Sequence, residues 1–572
     1  MLDECLKYFE EELNGHKNMV IDTIVPADGD YVLVYQDGTY NTYKIKYSKK
    51  DRTFKERPAT DILNKIRFYD YYSQLVSMNK PQDPGKIIHS NNYLSLFVKK
   101  ESFKNGKINN EVIERYFKVL KAPQEKYKRT DLKMYEFISL GLDELNQDDL
   151  KKNEEWLKNH IYNLEGVDYD EKGYLKIFFE ASDKTYINEG NRYILTKIFN
   201  CNDYNIYSNN TVYGLPNYNM QLNAKKPFLE NKTRLKKIPY LISLQQAIIE
   251  KQFFDYLMNC ANEGKTNIYI DNDEFAFKRI ICLKNQEKLD EAKFNGIFLK
   301  IQKGKELEIH YLDSLTNYTT LLRPAFNFIN VIGALEDECY KLYNERFEVE
   351  NLIDDILFSR YLKNNYFTPI EDLKGIDSIF KKNIIKARDA IFQWRYLGRI
   401  ENINTILKDV AFDMVKYSLK NGYLKKAQKQ LNLYFSLNKY FNNEEINMAD
   451  VRDSLRNKIN AQKQLKIEND EEYSFAVGQA ISYLQDRSKA KNNMQDMINQ
   501  FLFIKNDNVL KTRLRQLYQR YSYDLKKGRN RYSILIAMIM EYDKTKKIDH
   551  NKLIAGYLGE NLVYEKRGNE DE

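Results

Sequence analysis

Residues 214–257 read GLPNYNMQLNAKKPFLENKTRLKKIPYLISLQQAIIEKQFFDYL, a cationic loop that runs directly into a strongly marked helix. The loop carries six cations against a single acid, Glu230. A loop of this charge either binds a polyanion or is simply solvated, and its residues leave both interpretations open. The candidate nucleic-acid-binding residues here are Lys225, Lys226, Lys232, Arg234, Lys236 and Lys237.

The helix that follows has a capping box at its start. Ser243 is the predicted N-cap and Gln246 stands three residues later, so the two side chains would satisfy two backbone N–H groups. Beyond them, apolar side chains recur with a period near 3.6, which predicts a core-facing stripe. We therefore expect a rigid helix that presents the cationic loop. The stripe consists of Leu244, Ala247, Ile248, Phe254 and Leu257.

The distribution of proline divides the chain into two parts. All ten prolines lie between residues 26 and 369. Because proline is expelled from helix interiors, the distribution predicts an α+β protein, with a mixed N-terminal body containing antiparallel sheet and an all-α C-terminal helical bundle. A polar break at 442–448 favours a boundary inside the helical region. The predicted domains are a mixed α/β nucleic-acid-binding body at 1–340, a helical connecting region at 341–447 and a C-terminal helical bundle at 448–572.

Local patterns predict individual elements. Strands are expected at 31–36 and 39–47, around an Asp37-Gly38 pair that favours a type I′ hairpin turn. Further strands are expected at 174–180 and 297–311, the latter folding back near Gly304. The helical part is expected to begin near Phe326. Predicted helices are 110–120, 148–164, 243–260, 353–362, 378–394, 403–418, 424–441 and 532–540, the last apolar nearly all round and so expected to be buried.

An earlier stretch, residues 86–100, reads KIIHSNNYLSLFVKK. It combines cations that can neutralise phosphates with paired amides that can contact base edges and an aromatic ring. The alternative is an Asn-rich turn before a strand at 94–98. The candidate residues are Lys86, His89, Asn91, Asn92, Lys99 and Lys100.

The most basic region lies near the C-terminus. Residues 487–531 carry 12 Lys and Arg against 3 acids, a local excess larger than the +8 of the whole chain. Within it, Leu510, Leu514, Leu517, Tyr521 and Leu525 form one narrow helical stripe flanked by cations, so this helix can pack and still present charge. The candidate residues are Arg487, Lys489, Lys491, Lys511, Arg513, Arg515, Arg520, Lys526, Lys527, Arg529 and Arg531.

Composition and motifs give little sign of catalysis, cofactor or metal. Five cysteines contain no C-x-x-C pair, and five histidines are dispersed along the chain. Gly264-Lys265-Thr266 resembles the tail of a P-loop without the preceding glycine. No run of 18 apolar residues and no signal-peptide pattern occurs, so we expect a cytoplasmic protein without a membrane partner.

Four stretches together carry a family resemblance. They are PYLISLQQA at 239–247, KIIHSNNYLSLFVKK at 86–100, FAVGQAISYLQDRSKAKNNM at 475–494 and LIAGYLGENLVYEKR at 553–567. With them, the chain resembles the large subunit of the type I-B CRISPR surveillance complex (Cascade). Some members carry a cysteine-rich zinc site in mid-chain, whereas this region keeps only Cys201, so no metal is carried over.

The resemblance implies a non-catalytic role in antiviral defence. Such a subunit contributes to PAM recognition, target DNA binding and recruitment of a separate helicase–nuclease. Its implied partners are crRNA, target DNA and the other Cascade backbone subunits. In that family the end of the gene can also be translated from an internal start, for which Met448 and Met414 are the candidates here.

Two alternative functions remain open on the sequence alone. One is a nucleic-acid-processing enzyme, a degenerate nuclease without a recognisable motif. The other is a structural RNA-binding protein outside defence.

Overall fold

A computed structural model describes residues 1–78, 80–208, 210–217, 240–273, 276, 278–290, 293–304, 307–333, 337–463, 465–487, 496–521, 530–543 and 547–565. The chain forms two compact units, residues 1–287 with 295–316 and residues 288–294 with 317–572. Most strands lie in the N-terminal half and helices dominate the C-terminal region, which confirms the α+β prediction. The boundaries expected at 340 and 447 lie inside the second unit and stay predictions.

The strands, in chain order, are β1 Gly29–Val34, β2 Tyr40–Ser48, β3 Thr53–Glu56, β4 Ser95–Lys99, β5 Tyr174–Phe179, β6 Ile206–Ser208, β7 Thr211–Gly214, β8 Ile242–Ser243, β9 Lys265–Asp271, β10 Ile280–Lys284, β11 Phe294–Lys303, β12 Leu307–Tyr318, β13 Leu321–Asn327 and β14 Leu342–Glu345. They form sheets ordered β3-β2-β1-β5-β4, β10-β9-β11-β12, β6-β7-β8 and β13-β14.

The helices up to residue 262 are α1 Leu2–Gly15, α2 Met19–Asp22, α3 Thr60–Ser73, α4 Glu101–Lys104, α5 Asn110–Lys121, α6 Pro123–Lys126, α7 Thr130–Ser139, α8 Gln147–His160, α9 Asp183–Ile194 and α10 Leu244–Asn262. Those of the C-terminal region are α11 Arg346–Phe358, α12 Ser378–Phe392, α13 Ile403–Lys420, α14 Leu424–Asn442, α15 Met448–Asn460, α16 Asp470–Asp486, α17 Asp496–Asn499, α18 Asp507–Tyr521, α19 Arg531–Glu541 and α20 His550–Leu558.

The first hairpin is confirmed, but its turn is not type I′. β1 and β2 pair antiparallel from Gly29↔Ile45 to Val34↔Tyr40. A type I′ turn needs positive φ at both central residues, whereas only Gly38 (φ 86) adopts it and Asp37 does not. The Asp37 carboxylate instead accepts the Thr39 N–H at 2.9 Å, which stabilises a longer loop.

The five-stranded sheet contains one parallel pair. β1 pairs parallel with β5, from Gly29↔Tyr174 to Val34↔Phe179, while the other pairs are antiparallel. Parallel pairing requires a long crossover, which here passes through α3 to α8. Strand β1 is buried along its whole length because it lies at the centre of the sheet.

The helix α10 begins as predicted. The Ser243 side chain accepts the Gln246 N–H, and the Gln246 side chain accepts the Ser243 N–H. Ala247, Phe254 and Leu257 of the predicted stripe are buried, while Leu244 and Ile248 are only half-buried. With β9 to β12, α10 encloses a core that includes Phe253, Ile268, Ile270, Ile297 and Leu299.

The C-terminal helices match the prediction closely, with two corrections. The C-terminal helices begin at Arg346 rather than near Phe326, because strands β13 (Leu321–Asn327) and β14 (Leu342–Glu345) precede them. Helix α19 buries only Tyr532, Leu535, Met538 and Ile539, and Ala537 is exposed, so it is not buried all round.

Two of the quoted C-terminal stretches meet where α16 crosses α20. A Cβ built on Gly478 would lie 2.0 Å from the Leu553 carbonyl oxygen, and one on Gly556 would lie 2.1 Å from that of Phe475. Beside this crossing, Gln479 donates to the Gly556 carbonyl at 2.6 Å and accepts the Leu562 N–H at 2.8 Å. These residues therefore specify helix packing.

Candidate nucleic-acid interface

The loop before β4 is organised by Asp83. Its buried carboxylate accepts the N–H groups of Gly85, Ile87 and Ile88 at 2.7 to 3.2 Å and pairs with Arg115 at 3.0 Å. Lys86 stands in this loop with a φ of 57, and its side chain is exposed. The fold therefore holds Lys86 on the surface, where a phosphate could reach it.

The paired amides of this stretch do not reach the surface. Asn91 is 1% exposed and Asn92 is fully buried. Asn91 donates to the Gln74 carbonyl at 2.9 Å, and Asn92 donates to the Tyr72 carbonyl at 3.2 Å and accepts the Leu94 N–H at 3.0 Å. With their hydrogen bonds used inside the fold, they cannot contact a base edge in this conformation, and the turn before a strand is the better interpretation.

The two lysines at the end of the stretch differ in their exposure to solvent. Lys99 is exposed, whereas Lys100 is fully buried and forms an ion pair with the equally buried Asp30 at 2.5 Å. A buried ion pair must stay intact because removing one partner leaves an uncompensated charge. The prediction of Lys100 as a phosphate contact is therefore corrected to a structural role.

His89 lies on the wall of a cavity of about 430 Å³ in the first unit. Its Nδ1 is 3.2 Å from the Tyr174 hydroxyl and its Nε2 is 3.3 Å from the Lys86 carbonyl oxygen. Burial, reinforced by the charge of Lys99, lowers the pKa of His89 below its ordinary value. The ring is therefore a neutral hydrogen-bonding group at pH 7 rather than a cation.

The central cationic residues, Lys225, Lys226, Lys232, Arg234, Lys236 and Lys237, lie outside the described residues. The described chain resumes at Tyr240, three residues after Lys237, and enters α10 at Leu244. Their role stays a prediction.

Helix α18 presents cations as its pattern predicts. Leu510, Leu514 and Leu517 are buried at 4% exposure or less. Arg513, Arg515 and Arg520 are exposed, and no acidic partner faces them among the residues that the structure describes. Within the described part of the chain, this helix is anchored on one face and presents guanidinium groups without an acidic partner on the others.

The other described cations of the C-terminal group already interact with side chains or carbonyl groups of the fold. Lys511 pairs with Asp507 at 3.3 Å, and its ammonium also donates to the Tyr542 carbonyl. Arg487 stacks over Tyr483 at 5.2 Å, and Arg531 donates to the Glu565 carbonyl. These three side chains stabilise the fold. Lys489, Lys491, Lys526, Lys527 and Arg529 lie outside the described residues.

Sequence reasoning missed a group of lysines in the second unit. Lys386, Lys408, Lys416 and Lys547 surround an opening of about 620 Å³ that also contains Phe412, Tyr434 and His550. The residues are spread over more than 160 positions, so no local pattern signals them. Lys386 pairs with Asp409 at 2.8 Å and Lys408 pairs with Glu444, so acids balance much of their charge.

Two further observations concern the part of the chain that the structure describes. No group of three or more His, Cys, Asp or Glu side chains is arranged there to hold a metal ion. No helix there is both long and apolar enough to cross a bilayer.

No protein-family model, no curated protein and no solved structure matches the chain.

Proposed function

We propose that this protein binds nucleic acid without sequence preference through α18. The observation that carries the proposal is the trio Arg513, Arg515 and Arg520. These residues are exposed on a helix fixed by three buried leucines, and they face no acid among the residues that the structure describes. A rigid helix that presents guanidinium groups can neutralise successive phosphates with little loss of side-chain entropy. Phosphate contacts give affinity and register, and they carry no sequence information.

We further propose that the protein is the large subunit of a crRNA-guided DNA surveillance complex in antiviral defence. The support is the resemblance of four stretches spread along the chain. In such a complex, base pairing between guide and target reads the sequence, and the protein supplies charge, PAM recognition and docking surfaces. The proposed partners are crRNA, target DNA, the backbone subunits and a separate helicase–nuclease in the cytoplasm.

PAM recognition needs base-edge contacts that the buried Asn91 and Asn92 do not offer. Of the early stretch, Lys86 and Lys99 remain exposed, and lysines there supply charge to a duplex rather than discrimination. We therefore propose that residues 86–99 contribute backbone contacts and that other side chains read the PAM.

The test of the nucleic-acid role is a triple variant, Arg513→Gln with Arg515→Gln and Arg520→Gln. We expect weaker binding to every DNA sequence, with a larger loss near about 50 mM salt than near about 200 mM, and a salt slope reduced by about 2 to 3. Binding of the intact protein to labelled duplex and single strands is measured across this salt range.

The matched control removes three exposed cations that already face acids, Arg360, Lys374 and Lys382, by changing each to Gln. The control variant and the α18 triple variant therefore change the net charge by the same amount. If both triple variants change affinity and salt slope equally, the effect is one of net charge and α18 is not the interface.

The proposed lack of catalysis has its own test. The purified protein is incubated with labelled DNA or RNA and Mg²⁺ or Mn²⁺. Cleavage that a single carboxylate substitution abolishes would favour the degenerate nuclease instead.

A further inference from the structure

Two cysteines far apart in sequence meet in the first unit. Cys260 lies in the last turn of α10, and Cys282 lies on β10, opposite Ile268 of β9. Their sulfur atoms are 3.4 Å apart, with the Cys260 thiol donating to Cys282 Sγ. The Tyr256 hydroxyl, one turn before Cys260 on α10, also lies 3.4 Å from Cys282 Sγ.

The two thiols differ in access. Cys260 is 3% exposed, whereas Cys282 is only half-buried. Strand β10 is at the edge of its sheet, with β9 as its one neighbour in the strand order. As a residue, Cys282 is therefore the more exposed of the two, and the Cys260 sulfur lies beside it.

The surroundings also differ in charge. The hydrogen bond from Cys260 lowers the pKa of Cys282, helped by the Tyr256 hydroxyl and by the cations Lys278 and Lys265. The same hydrogen bond, together with burial, raises the pKa of Cys260. These interactions outweigh the effect of burial at Cys282, so thiolate character gathers on this sulfur of the pair, and the thiolate is the reactive form of cysteine.

Two other cysteines lack these features. Burial raises the pKa of Cys5 to about 12, and burial with the neighbouring Asp337 raises that of Cys339 to about 11. Neither lies within hydrogen-bond distance of another sulfur among the described residues. Chemistry at Cys282 should therefore be selective over Cys5 and Cys339.

We propose that Cys260 and Cys282 form a reversible oxidation site, in which hydrogen peroxide converts the thiol pair to a disulfide. The Cys282 thiolate attacks a peroxide oxygen, the O–O bond breaks, and Cys282 becomes a sulfenic acid while hydroxide leaves and is protonated to water. The Cys260 sulfur then attacks the sulfenic sulfur. An S–S bond forms, the S–O bond breaks, and the second water carries away the Cys260 proton.

The pair is close enough for this step. A disulfide requires a sulfur–sulfur distance of about 2.05 Å, so the sulfurs must approach by roughly 1.4 Å. A register shift between Leu283 and Lys284 interrupts the β10–β9 ladder one residue beyond Cys282, which leaves this part of the edge strand less constrained. In a reducing compartment such a bond is transient, as expected of a redox-sensing pair rather than of a structural disulfide.

The disulfide would join α10 to β10. The helix begins at Leu244, seven residues after Lys237 in the sequence, and the disulfide would tie its other end. The oxidation site itself does not depend on the proposed nucleic-acid role.

The experiment treats the reduced full-length protein with a small excess of hydrogen peroxide, alkylates the remaining free thiols and maps the peptides by mass spectrometry. We expect the peptides containing Cys260 and Cys282 to appear joined, about 2 Da lighter than their summed masses, and to separate after treatment with dithiothreitol. Cys5, Cys201 and Cys339 should remain alkylated.

Two variants assign the order of events. In Cys260→Ser, oxidation should stop at a Cys282 sulfenic acid that dimedone traps, and in Cys282→Ser the joined peptide should be lost without a trapped Cys260. Cys339→Ser is the matched control and should leave the joined peptide unchanged. The wild-type map decides the matter even if a variant fails to fold. Full alkylation of Cys260 and Cys282 after peroxide treatment, or a joined peptide with another cysteine, would overturn the proposal.

Discussion

The side-chain amide of Asn92 donates to the main-chain carbonyl of Tyr72 across 3.2 Å, and this bond joins the approach to β4 to the last turn of α3. The other end of the same side chain accepts the Leu94 N–H and the Ser95 hydroxyl. The side chain of Asn91 donates to the carbonyl of Gln74, two residues after Tyr72. Two adjacent asparagines thus satisfy backbone groups that no regular ladder reaches.

Asn92→Ala should destabilise the first unit. The substitution leaves several buried partners without a hydrogen bond, and we expect the free energy of unfolding to fall by about 2–3 kcal/mol. Denaturant titration of the full chain measures the change, with the exposed Asn105→Ala as control. A variant of native stability that loses affinity only for DNA with the correct PAM would restore Asn92 as a base contact.

Sequence patterns predicted the helices and strands well, because the interactions that form them join residues close together in the sequence. The Ser243 capping box, the Asp37-Gly38 turn position and the leucine stripe of α18 each depend on residues within a few positions of one another. The type I′ turn was wrong because the Asp37 side chain favours another loop. The parallel partner of β1 was unpredictable because Val34 and Tyr174 are separated by a long crossover.

Gly478→Ala should destabilise the second unit. A Cβ at this position would lie 2.0 Å from the Leu553 carbonyl oxygen, so α16 and α20 would have to separate. We expect a loss of about 1–3 kcal/mol, the usual cost of overpacking a close contact. Thermal unfolding provides the measurement, and Gly15→Ala, with nothing within 4 Å of its added Cβ, is the control. Equal melting temperatures for the two variants would contradict this packing.

Glu250 should make stability depend on pH. Burial, with a contribution from Asp3, raises the pKa of Glu250 from about 4.5 to about 8. The folded state therefore binds more protons than the unfolded state between these values, so this group lowers stability as pH rises from about 4.5 to about 8, with no further change above.

Glu250→Gln removes this titration. Relative to the wild type, the variant should gain stability as pH rises from 5 to 9, by at most roughly 4 kcal/mol. Melting temperatures across this range measure the gain, and the exposed Glu155→Gln serves as control. Parallel curves for the wild type and Glu250→Gln would show that Glu250 ionises normally.

Lys236→Gln with Lys237→Gln tests the central cationic segment. If these lysines contact phosphates, binding should weaken on all sequences alike and the salt slope should fall by about 2. Salt-dependent DNA binding is the measurement. The matched control changes Lys49 and Lys50 to Gln. These two lysines are adjacent to each other in sequence, and both are exposed. A slope identical to that of the control would mean that the segment is only solvated.

Site residues were predictable from sequence only where burial follows from a helical period. The helical period assigned Arg513, Arg515 and Arg520 to the exposed side of α18 and the leucines between them to the buried side. It could not reveal that Lys100 pairs with Asp30, since that acid lies 70 residues earlier and becomes its neighbour only through the sheet. The Cys260–Cys282 contact was invisible for the same reason, as it joins a helix end to an edge strand.

The last prediction concerns an internal start at Met448. This methionine is the first residue of α15 and follows directly on the 443–447 break, whereas Met414 lies fully buried in the middle of α13. A product that starts at Met414 would contain a truncated α13, whereas one that starts at Met448 keeps α15 to α20 whole. We therefore expect any C-terminal product to start at Met448.

Expression with tags at both ends, followed by intact-mass analysis, tests this start. Met448→Leu should remove a product of 125 residues, and Met414→Leu should leave it in place. Leucine nearly conserves the volume of methionine, so the full-length chain should still fold. The isolated product should be less stable than the full chain, because it loses the bond from Gln428 of α14 to the Leu558 carbonyl at 2.8 Å. A single full-length species from the wild type and from both variants would refute internal initiation.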